Sequence, residues 1–450
     1  MIPHDLNLLP ATPGRKIWLC VGTLLDGVST KPLRNAHIVY DSKQILFAGE
    51  NPPPADLVNP GRHEPELQLP DYTLLPGLIE AHAHLFLEGG AVALDLRAAY
   101  LKQTPEQLLR LARTRLEKLV RLGVIAVRDA GDKDGVGLAL SKLYRDGSRR
   151  GNEADTPVEN SGSVRFRTSS AALMPYVDSP GAAIHHKGHY GSFMAEPIEN
   201  FASLRQSVEV RINAGADRIK LIPTGIIDFK QGAVTAEPQM TTAEIRELVV
   251  AAKTFGKQTF AHASGDAGIE RAIDGGVDSV EHGFFVRPDQ LAKMRDRQIA
   301  WVPTFAPVQE QVDRAEAMGW DAQVVSNLRK ILDQHAASLV KAQEKGVLII
   351  AGSDAGSCGV AHGIGFLTEL ELMERAGLSP LAVINAATGT SSSRLAFKEK
   401  FGQIKPGYLS RFILTRHSPL ESIANLRKQK FVLFNGAMLE TDENIDSSGL

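Results

Sequence analysis

Two histidines separated by one residue are the first feature of the sequence whose types and spacing could do chemistry. His82 and His84 end the segment PGLIEAHAH at residues 76–84, which is apolar enough to form a buried strand. Alternate residues of a strand face the same side, so the two imidazoles are expected side by side, where they can hold one divalent cation. A pair of hydrogen-bonded strand histidines is the ordinary alternative for this motif alone. Glu80 has the same orientation, and we interpret it as a supporting partner rather than a ligand.

Further side chains of metal-binding or basic character stand at or near the ends of later apolar runs. They are Lys220, His262, His282 and Asp354. Taken alone, Lys220 predicts a strand lysine whose amine reaches solvent, and Asp354 predicts a helix cap or a turn. If the runs are parallel strands of a barrel, however, their carboxyl ends form one ring, where such enzymes build their active sites. Convergence of all these groups with the first two histidines then favours a metal centre.

The spacing of the apolar runs predicts an α/β fold. Eight short runs recur, mostly separated by segments of helical pattern: 78–86, 124–129, 164–170, 218–223, 258–263, 279–285, 300–305 and 347–354. Thr104 with Gln107, and Thr241 with Glu244, have the spacing of capping boxes that begin helices, and 321–346 predicts a longer helix. This alternation favours a closed (β/α)8 TIM barrel. An open doubly wound sheet is the alternative, but no glycine-rich dinucleotide motif follows the first strand.

The two ends of the chain have a different pattern. Short β-type runs separated by turn residues occupy 16–25, 36–40 and 44–49, and then 412–414 and 431–434. We therefore predict a small β-sandwich domain built from both chain ends, with its parts at 1–75 and 401–440, around a barrel at 76–400. Residues 441–450 are a polar tail, and the polar stretch 147–162 predicts a loop-like insertion.

The composition excludes several classes of protein. The 450 residues carry 50 Lys and Arg against 52 Asp and Glu, a net charge of −2, which lacks the basic excess of a nucleic-acid-binding protein. No run approaches the ~20 apolar residues that span a bilayer, so neither nucleic acid nor membrane is an expected partner. Two cysteines, Cys20 and Cys358, do not support a disulfide scaffold. Without a signal-peptide pattern, we expect a cytoplasmic protein that acts on a small molecule.

Together the motifs resemble those of the amidohydrolase superfamily, in the branch of imidazolonepropionase-like and Xaa-Pro dipeptidase-like hydrolases. The segments that carry the resemblance follow the family's order: PGLIEAHAH, GVIAVRDAG (123–131), GADRIKLIP (215–223), AHASG (261–265), GVDSVEHG (276–283), VPTF (302–305), GSDAGSCGVAHG (352–363) and INAA (384–387). This combination is highly specific for the superfamily and less specific for the substrate. It implies a TIM barrel flanked by a small β domain.

The resemblance also implies a centre that holds two divalent cations. Its implied ligands for the first cation are His82, His84 and Asp354, and those for the second are His262 and His282. Imidazole and carboxylate ligands suit zinc, which is the expected metal.

Lys220 and Asp354 have special roles in the implied centre. An unmodified lysine ammonium would be repelled by a cation, whereas Lys220 carbamylated by CO₂ presents a carboxylate that bridges both metals. Two close cations can acidify one bridging water, and the resulting hydroxide attacks an amide carbonyl. Asp354, the implied catalytic residue, orients this hydroxide and passes its proton to the leaving amine.

Lys220 also favours hydrolysis over deamination. Deaminases of the superfamily usually lack this lysine and place a Glu a few residues after the third histidine. Here Ala263, Ser264 and Gly265 follow His262, and the next Glu is Glu270. Imidazolonepropionase also tends to lack the lysine, so the dipeptidase-like side of the branch fits better.

Substrate contacts are less well defined by the resemblance. His189, in the segment KGHYG, best matches a family element that touches substrate, and a solvent-exposed loop histidine is the alternative. His362 lies in a loop at the same expected mouth, and Arg128 or His189 would anchor a substrate carboxylate. We interpret Cys358 as a wall residue, because a metal hydroxide leaves no need for a thiol nucleophile.

These inferences leave three functions open. The first is a binuclear metal-dependent amidohydrolase that cleaves a dipeptide or an N-acyl amino acid. The second keeps the centre but takes a non-peptide amide, a carbamate or an aryl-urea. The third is a noncatalytic barrel that binds a ligand, although an intact ligand set argues against it. Relatives are often oligomers, so a homo-oligomer is a further expectation by analogy.

Overall fold

The computed structural model of the protein describes residues 9–11, 14–153 and 173–441. The strands of these residues are β1 (Ile17–Leu24), β2 (Leu33–Tyr40), β3 (Ile45–Gly49), β4 (Leu67–Pro76), β5 (Leu78–Ala83), β6 (Val124–Asp129), β7 (Tyr176–Asp178), β8 (Ile219–Leu221), β9 (Thr259–Ala263), β10 (Ser279–His282), β11 (Ala300–Val302), β12 (Arg411–Thr415), β13 (Phe431–Phe434) and β14 (Ala437–Glu440). The α-helices are α1 (Leu94–Tyr100), α2 (Pro105–Arg121), α3 (Val136–Glu153), α4 (Leu204–Asn213), α5 (Thr242–Thr254), α6 (Asp266–Gly275), α7 (Pro288–Asp296), α8 (Ala306–Asp313), α9 (Ala322–Lys345), α10 (Ile364–Arg375), α11 (Pro380–Ala386) and α12 (Gly389–Leu395).

Strands from both chain ends join in one seven-stranded sheet. Its order is β14-β13-β12-β4-β1-β2-β3, and β4 joins the two halves because it pairs with β1 on one side and with β12 on the other. Both chain ends therefore contribute strands to one sheet, as expected, while a separate β domain stays a prediction. The expectation of a two-sheet sandwich is corrected within the described residues, because these strands form a single hydrogen-bonded sheet.

This sheet curls around its own apolar core. The rings of Tyr40 on β2 and Phe412 on β12 lie 5.0 Å apart, although two strands separate β2 from β12. In a flat sheet that separation would be about 14 Å, at about 4.8 Å per strand. Curling therefore brings the inner face together and replaces the second layer of a sandwich. The domain boundaries at 75/76 and 400/401 stay predictions.

The central part of the chain contains two sheets of parallel strands. One sheet has the order β5-β6-β7 and another has the order β8-β9-β10-β11. The amide of Ile184 donates to the carbonyl of Lys220 at 2.9 Å, and the amide of Ile350 donates to the carbonyl of Trp301 at 3.0 Å. The amide of Asp354 in turn donates to the carbonyl of His82 at 2.7 Å. The segment predicted as the eighth strand thus lies between β11 and β5.

The third predicted strand needs a correction. The apolar run 164–170 lies outside the described residues, and the strand that pairs with β6 is β7, where Ala126 lies opposite Tyr176. Part of the predicted insertion at 147–162 is also corrected, because α3 continues to Glu153. Its remainder, like the predicted tail from 442 onward, lies outside the described residues.

The predicted helix starts are confirmed. Thr104 caps α2 and Thr241 caps α5, each with a reciprocal capping box. Asp321 caps α9, and Gly346 ends that helix with a left-handed φ of 75°. Within the described ranges, no helix combines the length and apolar character needed to cross a bilayer.

Candidate active site

Three predicted ligands meet where β5 ends. The Nε2 atoms of His82 and His84 lie 3.6 and 3.5 Å from the same oxygen, Oδ1 of Asp354. The alternation of side chains in β5 and the hydrogen bond from Asp354 N to His82 O produce this arrangement. One ligand atom from each of the three residues lies within 4.8 Å of the others. This group is therefore compact enough to hold a single cation.

The other three predicted ligands lie beside this group. The rings of His262 and His282 are 4.5 Å apart between centroids, and the His82 and His282 rings are 5.1 Å apart. Lys220 lies opposite Phe260 in the pairing of β8 with β9, and its Nζ is 4.7 Å from the Phe260 ring centroid. The structure thus brings all six predicted ligands to one end of the parallel strands.

Each histidine of the group has one ring nitrogen engaged by the protein. The Nδ1 of His84 lies 3.2 Å from Gly131 O, and the Nε2 of His262 lies 3.1 Å from Gly225 O. A carbonyl only accepts hydrogen bonds, so these two nitrogens carry the protons and the other nitrogen of each ring keeps its lone pair. The Nδ1 of His282 bonds Thr304 Oγ1 at 2.8 Å. Such contacts fix the rings of metal-binding histidines in other proteins.

Glu281 supports His82 from the adjacent strand. Its Oε2 accepts from His82 Nδ1 at 2.6 Å and from the Arg128 guanidinium at 2.7 Å, while Oε1 accepts from Ser279 Oγ. Sequence reasoning assigned Glu281 no role, although it lies in the segment GVDSVEHG directly before His282. A carboxylate on the far nitrogen of a histidine holds the near nitrogen toward a cation.

Glu80 has a different supporting role. Its Oε1 accepts from the backbone amides of His82 and Ser353, and its Oε2 accepts from Ser353 Oγ at 2.6 Å. Glu80 therefore holds the backbone on both sides of the site and does not contact the imidazoles through hydrogen bonds. Burial raises its pKa to about 8.

Burial also shifts the pKa values of the predicted ligands. Desolvation, reinforced by the charge of Lys220, lowers the pKa of both His84 and His262 to about 3. Desolvation raises the pKa of Asp354 to about 7 and lowers that of Lys220 to about 8. These directions keep the imidazoles neutral at physiological pH, as metal ligation requires.

The backbone is unusual at the strand ends that carry the site. His282, Thr304 and Asp354 have φ values of 66°, 51° and 57°. Residues other than glycine rarely adopt this left-handed region, and such strain concentrates at functional sites. Here it directs two of the ligands and the threonine that bonds His282.

Buried polar atoms at the centre of the group have no hydrogen-bond partner among the described residues. They are Nε2 of His82, Nζ of Lys220 and Oδ1 of Asp354. Leaving such atoms unpaired costs free energy. Two of them are a ring nitrogen and a carboxylate oxygen, which are zinc-type donors, so the residues present fit a divalent cation.

A cavity of about 370 Å³ opens over these residues. Predicted ligands form its floor, and its walls are mainly apolar: Leu87, Leu101, Phe193, Met194, Ile226, Ile227, Phe229, Phe284, Pro307 and Val308. Polar walls include Arg97, Tyr190 and Gln311. The Tyr190 ring packs against His262 with 5.2 Å between centroids, and burial raises the pKa of its hydroxyl.

Two residues predicted to contact substrate, Arg128 and His189, do not line the cavity. Arg128 is 1% exposed beneath the ligands, where it donates to Ala81 O, Ser279 Oγ and Glu281, so it does not reach the cavity. His189 is exposed outside the cavity, and its neighbour Tyr190 lines the wall instead.

His362 does not line the cavity either, and its Nε2 bonds the backbone oxygen of the wall residue Leu87 at 2.8 Å. Cys358 does line the cavity, as expected. Sequence reasoning missed both Arg97 and Tyr190 as cavity residues. The segment KGHYG contained a signal for Tyr190, whereas Arg97 follows no motif.

Parallel strands that alternate with helices, and a histidine-rich centre at the carboxyl ends of those strands, define the chain as an α/β protein whose residues could hold a metal ion. Comparison with known families makes this specific, because residues 73–439 match the amidohydrolase family. The chain therefore belongs to the amidohydrolase family, and the resemblance seen in the motifs is confirmed. Family and neighbours support a TIM-barrel-like α/β fold and hydrolysis of carbon–nitrogen bonds, as in amides.

Several known proteins are similar over nearly the whole chain. Ochratoxinase of Aspergillus niger is 26% identical over 446 residues, which cover 96% of this chain and 88% of the relative. The crystal structure of A. niger ochratoxinase has a TM-score of 0.75 at 22% sequence identity and covers 95% of this chain and 96% of its own. A Xaa-Pro dipeptidase with methionine bound in its active site has a TM-score of 0.74 at 25% identity, with coverage of 95% and 100%. Phenylurea hydrolase B shares the fold, with a TM-score of 0.65 at 15% identity over 95% of this chain and 97% of its own.

Proposed function

We propose that the protein is a binuclear metal-dependent amidohydrolase that cleaves the amide of a dipeptide or an N-acyl amino acid. The observation that carries this proposal is the meeting of four imidazoles, one carboxylate and one buried lysine, all of which except His82 line one cavity. The parallel strands would then form a closed eight-stranded barrel. Hydrogen bonds on both sides support closure. On one side the amides of Ile350 and Asp354 link their segment to β11 and to β5, and on the other side the amide of Asp217, just before β8, donates to Ser179 O, just after β7.

The proposed ligands divide into two sets. His82, His84 and Asp354 would hold one cation, and His262 and His282 would hold the other. Zinc suits this donor set. When bound, the two cations would supply an activated water and would polarise the scissile carbonyl.

Lys220 is the proposed bridge between the cations. Its neutral amine would add to CO₂ and release a proton, which gives a carbamate whose single negative charge is shared by two oxygens. The buried Nζ has no acceptor among the described residues, and an ammonium left there would be costly. Carbamylation replaces that isolated positive charge with a group that the cations attract.

Asp354 is the proposed general base and acid. Its Oδ2 accepts from Ser357 Oγ at 2.7 Å, which fixes the carboxylate and leaves Oδ1 directed at His82 and His84. From this position Asp354 takes a proton from the attacking water and returns it to the leaving amine. A base fixed within hydrogen-bond reach of the reacting groups typically contributes ~10²–10⁴-fold to the rate.

Tyr190 is the proposed donor to the substrate carbonyl. Its side chain lines the cavity and packs against His262, which would bring its hydroxyl near the acyl group of a substrate bound there. A fixed hydroxyl donor stabilises the oxyanion that develops as the carbonyl is attacked.

The relatives support a peptide-like substrate. The Xaa-Pro dipeptidase holds methionine in its active site, which is consistent with an amino acid as product in this chain too. The apolar walls of the cavity would accept an apolar side chain or acyl group. Non-peptide amides, carbamates and aryl-ureas stay as the alternative, because phenylurea hydrolase B shares the fold.

A substrate screen tests this proposal. Zinc-loaded protein is incubated with dipeptides and N-acyl amino acids, with aryl-ureas and carbamates in the same plate, and release of the amine is measured. We expect hydrolysis in the first two groups and its loss in Asp354→Ala. Turnover confined to ureas or carbamates would favour the alternative, and no turnover with bound metal would favour a noncatalytic barrel.

A further inference from the structure

Arg97 is a cavity cation that lies outside the proposed ligand set. It belongs to α1, and its side chain lines the cavity together with Ser357 and Cys358 of the loop that follows Asp354. Among the cavity-lining residues in the described part of the chain, Arg97 is the arginine and Lys220 the lysine, and the three histidines are proposed ligands. Since Lys220 lies at the floor within the ligand group, Arg97 is the cation placed to meet a substrate.

Backbone carbonyls hold Arg97 in place without neutralising it. One terminal nitrogen donates to Gly356 O at 3.0 Å and the other donates to Ala91 O at 3.3 Å. No ion pair joins Arg97 to a carboxylate of the described residues. The guanidinium therefore has a fixed direction, remaining N–H donors and an unpaired charge, which suits recognition of an anion.

Gly356 connects Arg97 to the loop that follows the proposed general base. Gly356 follows Asp354 by two residues, so Arg97 is tied to the same loop as the proposed general base. In an N-acyl amino acid, only the amide nitrogen and the α-carbon separate the scissile carbonyl from the carboxylate. A carboxylate bound at Arg97 would therefore leave that carbonyl close to Asp354.

We propose that Arg97 binds the α-carboxylate of the substrate and so selects N-acylated amino acids with a free carboxyl group over neutral amides. This proposal rests on the proposed function for its catalytic part, but the binding step stands by itself. The apolar walls, including Phe193, Phe229 and Phe284, would take an aromatic or aliphatic side chain at the same time. Arg97 thus takes the role of carboxylate anchor that the sequence suggested for Arg128, whose guanidinium lies buried beneath the ligands.

A matched pair of probes tests the role of Arg97. The probes are N-acetyl-L-phenylalanine and N-acetyl-L-phenylalaninamide, which differ only in the charge of the carboxyl group. Kinetic constants and calorimetric binding are measured for zinc-loaded wild type, Arg97→Met, Arg97→Lys and a control, Arg113→Met. Arg113 is exposed on the neighbouring helix α2 and lines no part of the cavity.

We expect the wild type to prefer the acid and Arg97→Met to lose that preference. The KM and the Kd for the acid should rise ~30-fold, the range for a lost charge-assisted pair, with kcat little changed. Constants for the amide should stay within about twofold of wild type. For Arg97→Lys, the KM and the Kd for the acid should lie between those of the wild type and Arg97→Met, since lysine keeps the charge without the planar guanidinium. Arg113→Met should match the wild type.

The outcomes separate this proposal from the proposed function. If Arg97→Met weakens the binding of the acid and the amide equally, or keeps the wild-type preference for the acid, Arg97 does not bind the carboxylate. Wild type that binds the acid no tighter than the amide would overturn it as well. If the acid binds through Arg97 but neither probe is hydrolysed, the anchor stands and amide hydrolysis loses support.

Discussion

The Nδ1 atom of His82 lies 2.6 Å from Oε2 of Glu281, which joins strand β5 to strand β10 beneath the site. The same oxygen accepts from Arg128 at 2.7 Å, so the three residues form a buried chain of charge-assisted hydrogen bonds. Glu281 is also the chain neighbour of His282. One short strand therefore supports a proposed ligand of the first cation and supplies a proposed ligand of the second.

Glu281→Gln should weaken metal binding. Gln keeps the shape of the side chain but loses the charge that holds the Nδ1 proton of His82, and such losses typically cost ~10–100-fold in metal affinity. Competition with a zinc chelator measures the affinity. The melting temperature should fall as well, because Arg128 loses its charged partner in a buried place.

Glu369→Gln is the matched control for Glu281→Gln. Glu369 is also fully buried, but its Oε2 accepts from the backbone amide of Ala306 at 2.7 Å and contacts none of the proposed ligands. Zinc affinity in this variant should equal that of the wild type. If Glu281→Gln binds zinc as tightly as Glu369→Gln, Glu281 does not position His82.

Lys220→Ala should remove the carbamate and lower metal content together with activity. In protein equilibrated with ¹³C-bicarbonate, carbon NMR should show a carbamate resonance that is absent from the variant. Lys253→Ala, on the exposed face of α5, should keep that resonance. A carbamate signal that persists in Lys220→Ala, or full turnover in that variant, would refute the bridging role.

Tyr190→Phe should lower kcat with little change in KM. Removal of one oxyanion donor typically costs ~10²–10³-fold in rate, while the phenyl ring still packs on His262. Tyr176→Phe serves as the control, because Tyr176 lies in the aromatic cluster with Tyr144, Phe397 and Phe401. Steady-state kinetics on an amide substrate measure both constants. An unchanged kcat in Tyr190→Phe would show that the Tyr190 hydroxyl does not stabilise the oxyanion.

Lys430 should make stability depend on pH. It is fully buried and donates to Leu426 O at 2.5 Å, and burial lowers its pKa from 10.5 to about 7. Between about pH 7 and pH 10.5 the unfolded chain therefore holds a proton that the folded chain does not. The unfolding free energy contributed by this group rises with pH across that window and is lowest below pH 7.

Lys430→Met tests this dependence. The variant should melt ~2 °C or more above the wild type at pH 7, and the difference should shrink as the pH approaches 10. Lys428→Met, at an exposed position two residues away, should show no such trend. A difference that stays constant with pH would mean that Lys430 does not titrate in this range.

The meeting of His262 and Asp354 with the strand histidines was expected only from the barrel architecture and the family resemblance, since Asp354 alone predicts a cap or a turn. The pairing of His82 and His84 is local and follows from the alternation of side chains in a strand. Capping boxes at Thr104 and Thr241 predicted helix starts for the same reason, since they depend on residues three apart.

Features that depend on distant contacts could not be predicted in this way. Arg128 looked available for a substrate, but the tertiary structure places Glu281 and Ser279 around its guanidinium. Arg97 carries no motif and reaches the cavity only because α1 packs beside the loop after Asp354. The curl that brings Tyr40 to Phe412 likewise involves strands from opposite ends of the chain.

Zinc stoichiometry tests the central claim most directly. Chelator-treated protein is dialysed against excess zinc, and bound metal is counted for the wild type, His84→Ala, His262→Ala and the exposed control His189→Ala. Two ligand sets predict two ions in the wild type and in the control, and about one ion in each of the other variants, since loss of one ligand empties one position. Wild-type protein that binds no more zinc than His84→Ala and His262→Ala would contradict the proposed centre.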